Sequence, residues 1–407
     1  MKLTVEEEGI LAGRQGLARK KAMELLVKIG DLYGAGRLIP ISRGHVLTSL
    51  INFHDAGIQV IEGFSTAGGK YSVPTTIDPV SMSLEGTDFE LPEDLVTKQR
   101  RIMKAHQEMG VIPTWTCTPY LYENVPMFGE HIAWAESSAV IFANSVLGAR
   151  TNRMSTGLDA AAALVGRIPE FGLNLTPNRV PSVVVDVRID GLTDFDFHTL
   201  GLLLGKLTRG KTPFIKGLPE HTTPDQLKNL GSGLAMTGGL ALFHAENITP
   251  EVKNHFLKFD EKEIRTRHDI LRSDLEKTAE ELTTSHEEVD LVALGCPLYS
   301  LDELRFVARK VQGRKISSKV PLWIYTSPYV KWMSGHLGYL GILQESGVKV
   351  LSGTCAVVSF LKLSGIRNVM LDSARASHLV PSEHGIGVVY ASAEECIETA
   401  IRGKRRS

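Results

Sequence analysis

Cysteine is scarce in this chain: Cys117, Cys296, Cys355 and Cys396 are the four thiols in 407 residues. No two of them form a Cys-x-x-Cys pair, so a zinc ribbon or a thioredoxin-like redox motif has no support. Four cysteines so widely spaced do not make a disulfide framework either. An excess of one charge is also missing. Lys and Arg number 45 against 46 Asp and Glu, a formal net charge of −1, so nothing draws the chain electrostatically to nucleic acid or to an anionic membrane. No apolar run reaches the roughly 18 residues that a membrane-spanning helix needs. The start, Met1 to Glu8, is acidic and polar where a secretory leader would be basic and then apolar. Low-complexity linkers and short-period repeats are absent. These absences lead us to expect a cytoplasmic protein with reduced thiols and no nucleic-acid or membrane partner.

What is present is an ordinary globular composition, 43% hydrophobic and 22% charged, in a chain long enough for two domains or one large subdivided one. Thr4 and Glu7 read as a capping box that opens a helix over 4–29. Strands are predicted over 38–41 and 71–76, helices over 55–67 and 91–109, and a strand over 111–116 ahead of Cys117. An apolar helix is predicted over 131–147, a strand over 180–189, helices over 194–207 and from Thr223, and a strand over 240–243. The charged segment 249–285 reads as helical. Strands over 289–295, 320–326, 348–352 and 367–372 then alternate with helices over 301–312, 337–346 and 393–402. Helix, glycine and strand in this order indicate an α/β layered fold. The basic run 402–407 reads as a solvated end.

Three of the cysteines share a context. Cys117, Cys296 and Cys355 each follow an apolar run, and in α/β proteins ligands gather at the carboxyl ends of parallel strands. Three thiolates converging there form an incomplete cage for an iron–sulfur cluster, because a fourth would leave no iron free. Taken singly, each is more readily a small buried hydrophobe than a ligand. Their strand-end setting and their turn-forming neighbours favour ligation. Cys396 lies in a helical pattern without that setting and reads as structural.

Other polar groups sit at predicted strand ends. Ser42, Arg43 and His45 follow the 38–41 strand, and Thr75, Asp78 and Pro79 close the 71–76 run. Gly63 to Lys70 is glycine-rich but lacks the spacing of a phosphate loop, and its glycines come after the helix. Glu136, beside Ser137, is a carboxylate inside an apolar helix pattern and needs a partner if buried. Ser373 and Arg375 follow the 367–372 strand and suit an anion.

Longer stretches carry a resemblance. Pro40-Ile41-Ser42 with His45, Asp55-Ala56-Gly57, Val73-Pro74-Thr75-Thr76 and Cys117-Thr118-Pro119-Tyr120-Leu121 belong to it. So do 129–139, 143–153, 166–172, Gly295-Cys296-Pro297 and Gly353-Thr354-Cys355. Over nearly its whole length, 1–407, the chain resembles the large, catalytic part of the aconitase X family. The resemblance implies a three-layer α/β/α aconitase-like catalytic core with two subdomains, lacking the swivel domain. We divide it into 1–175 plus 286–407 around the cluster site, and 176–285. It further implies that Cys117, Cys296 and Cys355 hold a [4Fe-4S] cluster with one open iron, which can be isolated as [3Fe-4S] or lost.

Members of this family are hydro-lyases. One activity dehydrates mevalonate 5-phosphate with a two-chain enzyme, and the other dehydrates cis-3-hydroxy-L-proline, usually with a single fused chain. Fused members carry a C-terminal swivelling domain, and this sequence stops at Ser407 without one. A separate small subunit is therefore expected, bearing the catalytic base as a serine, with mevalonate 5-phosphate as substrate. Candidates for the pocket that takes this small anionic hydroxy acid are Ser42, His45, Thr48, Ser49, Thr75, Asp78, Pro79, Glu136, Ser137, Ser373 and Arg375. Arg43, Lys70, Arg153 and Arg375 are the candidate cations. Arg43, Asp78 and the segment 371–378 depart from the pattern of the archaeal phosphomevalonate enzymes, where a small residue, an Asn and an Asn-Ser-x-Lys-type ending are expected. An alternative of another class is a cluster-free binding or regulatory subunit, like superfamily relatives that bind RNA; the balanced charge argues against RNA.

Overall fold

Residues 1–85 and 91–405 are described by a computed structural model. Three parallel sheets organise them. The first pairs Gly44–Val46 between Thr75–Ile77 and Ala133–Trp134, beside an antiparallel ribbon of Leu38–Pro40 and Arg167–Pro169. The second runs in the order His244–Ala245, Pro213–Lys216, Val183–Val187, Arg267–Ile270. The third has Leu291–Tyr299 at its centre. Parallel strands need crossovers, and the helices that supply them cover both faces of a sheet. Leu291–Tyr299 is accordingly buried along its whole length.

The third sheet sets up the site. From Leu291–Tyr299 the chain first adds Leu322–Thr326 and Lys349–Ser352 on one side, then Asn368–Leu371 and Gly387–Tyr390 on the other. The order therefore reverses at the central strand, and ligands collect outside the carboxyl ends at such a switch point. Cys296 lies on that strand, Cys355 follows Lys349–Ser352, and Ser373 and Arg375 follow Asn368–Leu371.

The layered α/β class is as expected, but several elements differ. The 4–29 helix is two helices, Val5–Leu11 and Leu17–Leu32, because Gly13 and Gly16 take positive φ between them. Thr4 and Glu7 do form the capping box. No strand covers 111–116. Ile112 makes one bridge to Thr76, and Trp115 turns the chain with φ 47°. The 131–147 helix shortens to Ser137–Phe142 and a π-helical turn, Ala143–Leu147, since Ala133–Trp134 is drawn into the first sheet. Segment 249–285 is α-helical only over Pro250–Lys253 and Arg272–Leu282, with a 3-10 turn at Glu261–Glu263, and its Arg267–Ile270 joins the second sheet against Val184–Val187. The helix Ala374–His384 and the strand Gly387–Tyr390 were not anticipated. Of the basic run 402–407, Arg406 and Ser407 lie outside the described residues. Among the described residues no helix is long and apolar enough to cross a membrane.

Helix Pro224–Gly238 ties the second sheet's layer to the third. Its Lys228 is fully buried, 3.0 Å from Asp225 and paired with Glu303 of helix Leu301–Val311. Burial lowers the Lys228 pKa, but the two carboxylates raise it by more, so the ammonium stays charged.

Two other buried groups make the fold sensitive to acid. His106 bonds the Tyr71 hydroxyl at 2.7 Å, and His198 lies inside helix Asp194–Thr208. Burial pulls each imidazole down to about 3, from an ordinary 6.5. A depressed folded pKa means that the unfolded chain takes up the proton first. Their contribution is therefore intact above pH 6.5 and is lost as the pH falls, by about 1.4 kcal/mol per group per pH unit. Denaturant titrations at pH 7.5 and pH 5 should show His106→Gln losing less stability on acidification than the parent protein, by about 2 kcal/mol.

Candidate cluster site and substrate cavity

Cys296 reaches the site because its strand bends. Pairing with Leu322–Thr326 breaks register between Leu294 and Tyr299, and Gly295 takes φ 108° where any Cβ would strike the Tyr325 carbonyl. The next peptide, Cys296–Pro297, is cis. Cys355 follows a similar turn at Gly353, φ 70°, whose missing side chain leaves room for Leu84. Cys117 arrives from a loop and not from a strand end, and its sulfur accepts the Leu298 N–H at 3.4 Å.

All three cysteines are buried and line one cavity of about 410 Å³ together with Asp78, Pro79, Glu136, Ser137, Arg153 and Arg375. Burial pushes every thiol up. Cys296 rises to about 11, with Arg375 holding it back, and Cys355 rises further because Cys296 lies near. Cys117 is raised by burial, then by Glu136, Asp78 and Cys355. Three bare thiolates would repel one another here, and a cationic centre among them removes that penalty. The donor set therefore fits an iron–sulfur cluster. Among the described residues no three His, Cys, Asp or Glu side chains converge on a single-ion position. Cysteines that each ligate a different iron need no such convergence.

Glu136 and Arg375 are the charged centre of the cavity. Glu136 is the N-cap of Ser137–Phe142 and not an interior helical residue: it accepts the Ala139 N–H at 2.7 Å and the Ser138 hydroxyl at 2.6 Å. Its other oxygen takes Arg375 Nη2 at 2.8 Å, while Nη1 donates to Ser137 Oγ at 3.0 Å. Ser373 caps helix Ala374–His384 through the Ala376 N–H, and its hydroxyl helps to hold the Cys296 thiol down. Arg153 stands at the rim, where its one hydrogen bond among the described residues is a 3.4 Å contact to the Ala235 carbonyl.

Asp78 faces His45 across 3.6 Å. Burial and then Glu136 push its carboxyl well above the usual range, and burial takes His45 down to about 3. Burial thus disfavours charge on both groups. His45 Nδ1 bonds Thr76 Oγ1 at 2.9 Å, and Thr48 Oγ1 holds the Asp78 carbonyl at 3.0 Å. Ser49 Oγ accepts from Asn52, which lines the cavity. Thus His45, Thr48 and Ser49 stand behind the wall.

Four candidates lie elsewhere. Ser42 bonds the His131 carbonyl, Arg43 pairs with Glu130 at 3.3 Å, Thr75 turns back to the Val73 carbonyl, and Lys70 caps the Glu108 carbonyl beside a separate cavity. Each is consumed by local structure. Sequence reasoning missed Asn52, Ser155, Thr156, Met236 and Glu383, which also line the cavity. They come from helices and loops whose convergence only tertiary packing decides, and no local pattern marks them.

Comparison with known proteins identifies the family. The models for the aconitase X first, second and third domains match residues 1–177, 181–280 and 289–402. The chain belongs to the aconitase X family. It is 40% identical over 402 residues to the phosphomevalonate dehydratase large subunit of Thermococcus kodakarensis, covering 98% of this chain and 100% of that one. Against the cis-3-hydroxy-L-proline dehydratase of Pseudomonas aeruginosa the identity is 34% over 412 residues, 99% of this chain and 70% of that protein. The crystal structure of Thermococcus kodakaraensis aconitase X in its holo-form superposes with a TM-score of 0.90 at 38% identity, covering 98% and 100% of the two chains.

Removing one partner of a buried ion pair strands the other. Glu136→Ala should therefore destabilise the chain by about 3 kcal/mol or more, counting the lost cap, and Glu136→Gln by less, as read from chemical unfolding.

Proposed function

We propose that this chain is the large subunit of a two-chain, iron–sulfur-dependent hydro-lyase that dehydrates a small anionic 3-hydroxy acid, with mevalonate 5-phosphate as substrate and anhydromevalonate phosphate as product. The observation that carries the reading is the meeting of Cys117, Cys296 and Cys355 with the Arg375–Glu136 pair in one cavity. Family membership and the dehydratase names of the relatives support it. The relatives spanned end to end are called large subunits, which supports a separate small subunit carrying the swivel domain. Cys117, Cys296 and Cys355 would hold a [4Fe-4S] cluster, which when bound supplies a Lewis-acidic iron with an open position for the substrate hydroxyl.

The chain's own residues do the rest. Arg375, held in orientation by Glu136 and Ser137, turns its remaining N–H groups to the substrate carboxylate. Arg153 at the rim takes a second anionic group. Asp78 lines the same cavity, and burial biases its carboxyl toward the protonated form that could hand a proton to the departing hydroxyl. The proton alpha to the carboxylate goes to a base, the C–H electron pair becomes the alkene, and the C–O bond breaks to release water. The base is assigned to the small subunit and to no residue of this chain. The 34% identity to a hydroxyproline dehydratase favours cis-3-hydroxy-L-proline as the second reading.

The test is anaerobic purification with the small subunit, iron and sulfide analysis, and assays on both hydroxy acids. The parent protein should carry the cluster and dehydrate mevalonate 5-phosphate, while Cys296→Ser should lose most of its iron and fall to background activity. Full iron and activity in that variant would defeat the assignment, and turnover of hydroxyproline alone would promote the second reading.

A further inference from the structure

The stretch Gly295 to Leu298 of the central strand stands opposite the single residue Tyr325. Its pairing with Leu322–Thr326 steps from Leu294 and Ile324 to Tyr299 and Thr326. On the other side, pairing with Asn368–Leu371 ends at Ala293 and Leu371. Neither ladder reaches Cys296, so main-chain pairing does not fix where its sulfur lies. Side chains have to do that, as they orient the ligands of metal centres generally.

Asp372 is placed to do so. It follows Leu371 directly, is buried, and accepts the Tyr299 hydroxyl on Oδ2. Tyr299 is itself a firm anchor. Thr326 Oγ1 donates to its carbonyl at 2.7 Å, and the next residue, Ser300, caps helix Leu301–Val311. Burial pushes the Asp372 carboxyl up to about 6, while the Tyr299 hydroxyl, and then N–H groups that include that of Gly295, hold it down. A carboxylate in this position is costly to bury. It does not line the cysteine cavity, so it touches no substrate there and acts through its neighbours. Those neighbours are the site: Ser373 comes next in the chain, and Arg375 is three residues on. Asp372 therefore grips the far end of the looped stretch at Tyr299, while Ser373 meets the Cys296 thiol within it.

We propose that Asp372 is a positioning residue for Cys296: through the Tyr299 hydroxyl it holds the looped stretch 295–298 against the turn that carries Ser373 and Arg375, and so sets the place of the sulfur. The inference rests on the proposed function for what Cys296 ligates. The brace itself is measurable in the chain without a cluster.

The experiment compares the parent with Tyr299→Phe, Asp372→Ala and Asp372→Asn. In the full chain stripped of iron, alkylation of each cysteine by iodoacetamide is followed by peptide mass spectrometry. Alkylation of a buried thiol reports local opening, and Cys355 serves as the internal reference. Tyr299→Phe and Asp372→Ala should speed alkylation of Cys296 relative to Cys355 at least about tenfold. Asp372→Asn keeps an acceptor for the hydroxyl and should stay within about threefold of the parent. In the anaerobically reconstituted protein, the half-life of bound iron against a chelator should shorten at least about tenfold in the first two variants. If Asp372→Ala does not fold, Tyr299→Phe decides, since it removes one hydroxyl. An unchanged ratio overturns the proposal. An equal rise at Cys296 and Cys355 also overturns it, because the pair would then support the fold and not the ligand. So does a raised ratio with undiminished iron retention. A parent protein that takes up no iron defeats the proposed function, and the alkylation ratio then still decides the brace.

Discussion

The ion pair between Glu136 and Arg375 is the contact on which the site depends. Glu136 follows a short strand of the first sheet and caps the next helix, while Arg375 lies in the first turn of a helix that follows a strand of the third sheet. Their hydrogen bonds therefore join two separately built layers across the cavity that Cys117 and Cys296 share. A charge pair so enclosed is costly to desolvate and earns little net stability, but it is costly to break. It fixes orientation. Arg375 also moderates the burial-raised thiol of Cys296, so the same guanidinium can serve both the sulfur donors and an incoming carboxylate.

The topology explains why cysteines so far apart in sequence can cooperate. Reversal of strand order at Leu291–Tyr299 opens a crevice at its carboxyl end, and the turns at Gly295 and Gly353 lead Cys296 and Cys355 into it. Cys117 comes from the first sheet's layer, so the cavity exists only when the first and third layers meet. The second layer contributes through helix Pro224–Gly238, whose Met236 lines the cavity and whose Ala235 carbonyl steadies Arg153. The buried Lys228 on the same helix holds it against helix Leu301–Val311.

Much of this was legible in the sequence, for identifiable reasons. Apolar runs flanked by glycine predicted the third sheet, because strands covered on both faces are apolar throughout. The cysteines after those runs pointed to a shared site, although Cys117 reaches it from a loop. Glu136 was read as a buried carboxylate in need of a partner, which Arg375 is. Its capping role was hidden because Ala133–Trp134 is apolar enough to pass for helix until the first sheet claims it. The charged 249–285 segment hid a strand in the same way, since Arg267–Ile270 pairs along one side only, at the edge of the second sheet. Arg43, Lys70 and Thr75 carry suitable chemistry near strand ends, but local carbonyls and carboxylates take them up. Asn52, Thr156 and Met236 reach the cavity through packing alone.

The most direct test of the account is Mössbauer spectroscopy of the anaerobically purified protein with and without the hydroxy acid. The account predicts the spectrum of an iron–sulfur cluster in which one iron site alone responds to the added acid. A spectrum of mononuclear iron, or a cluster with no site that responds, would contradict it.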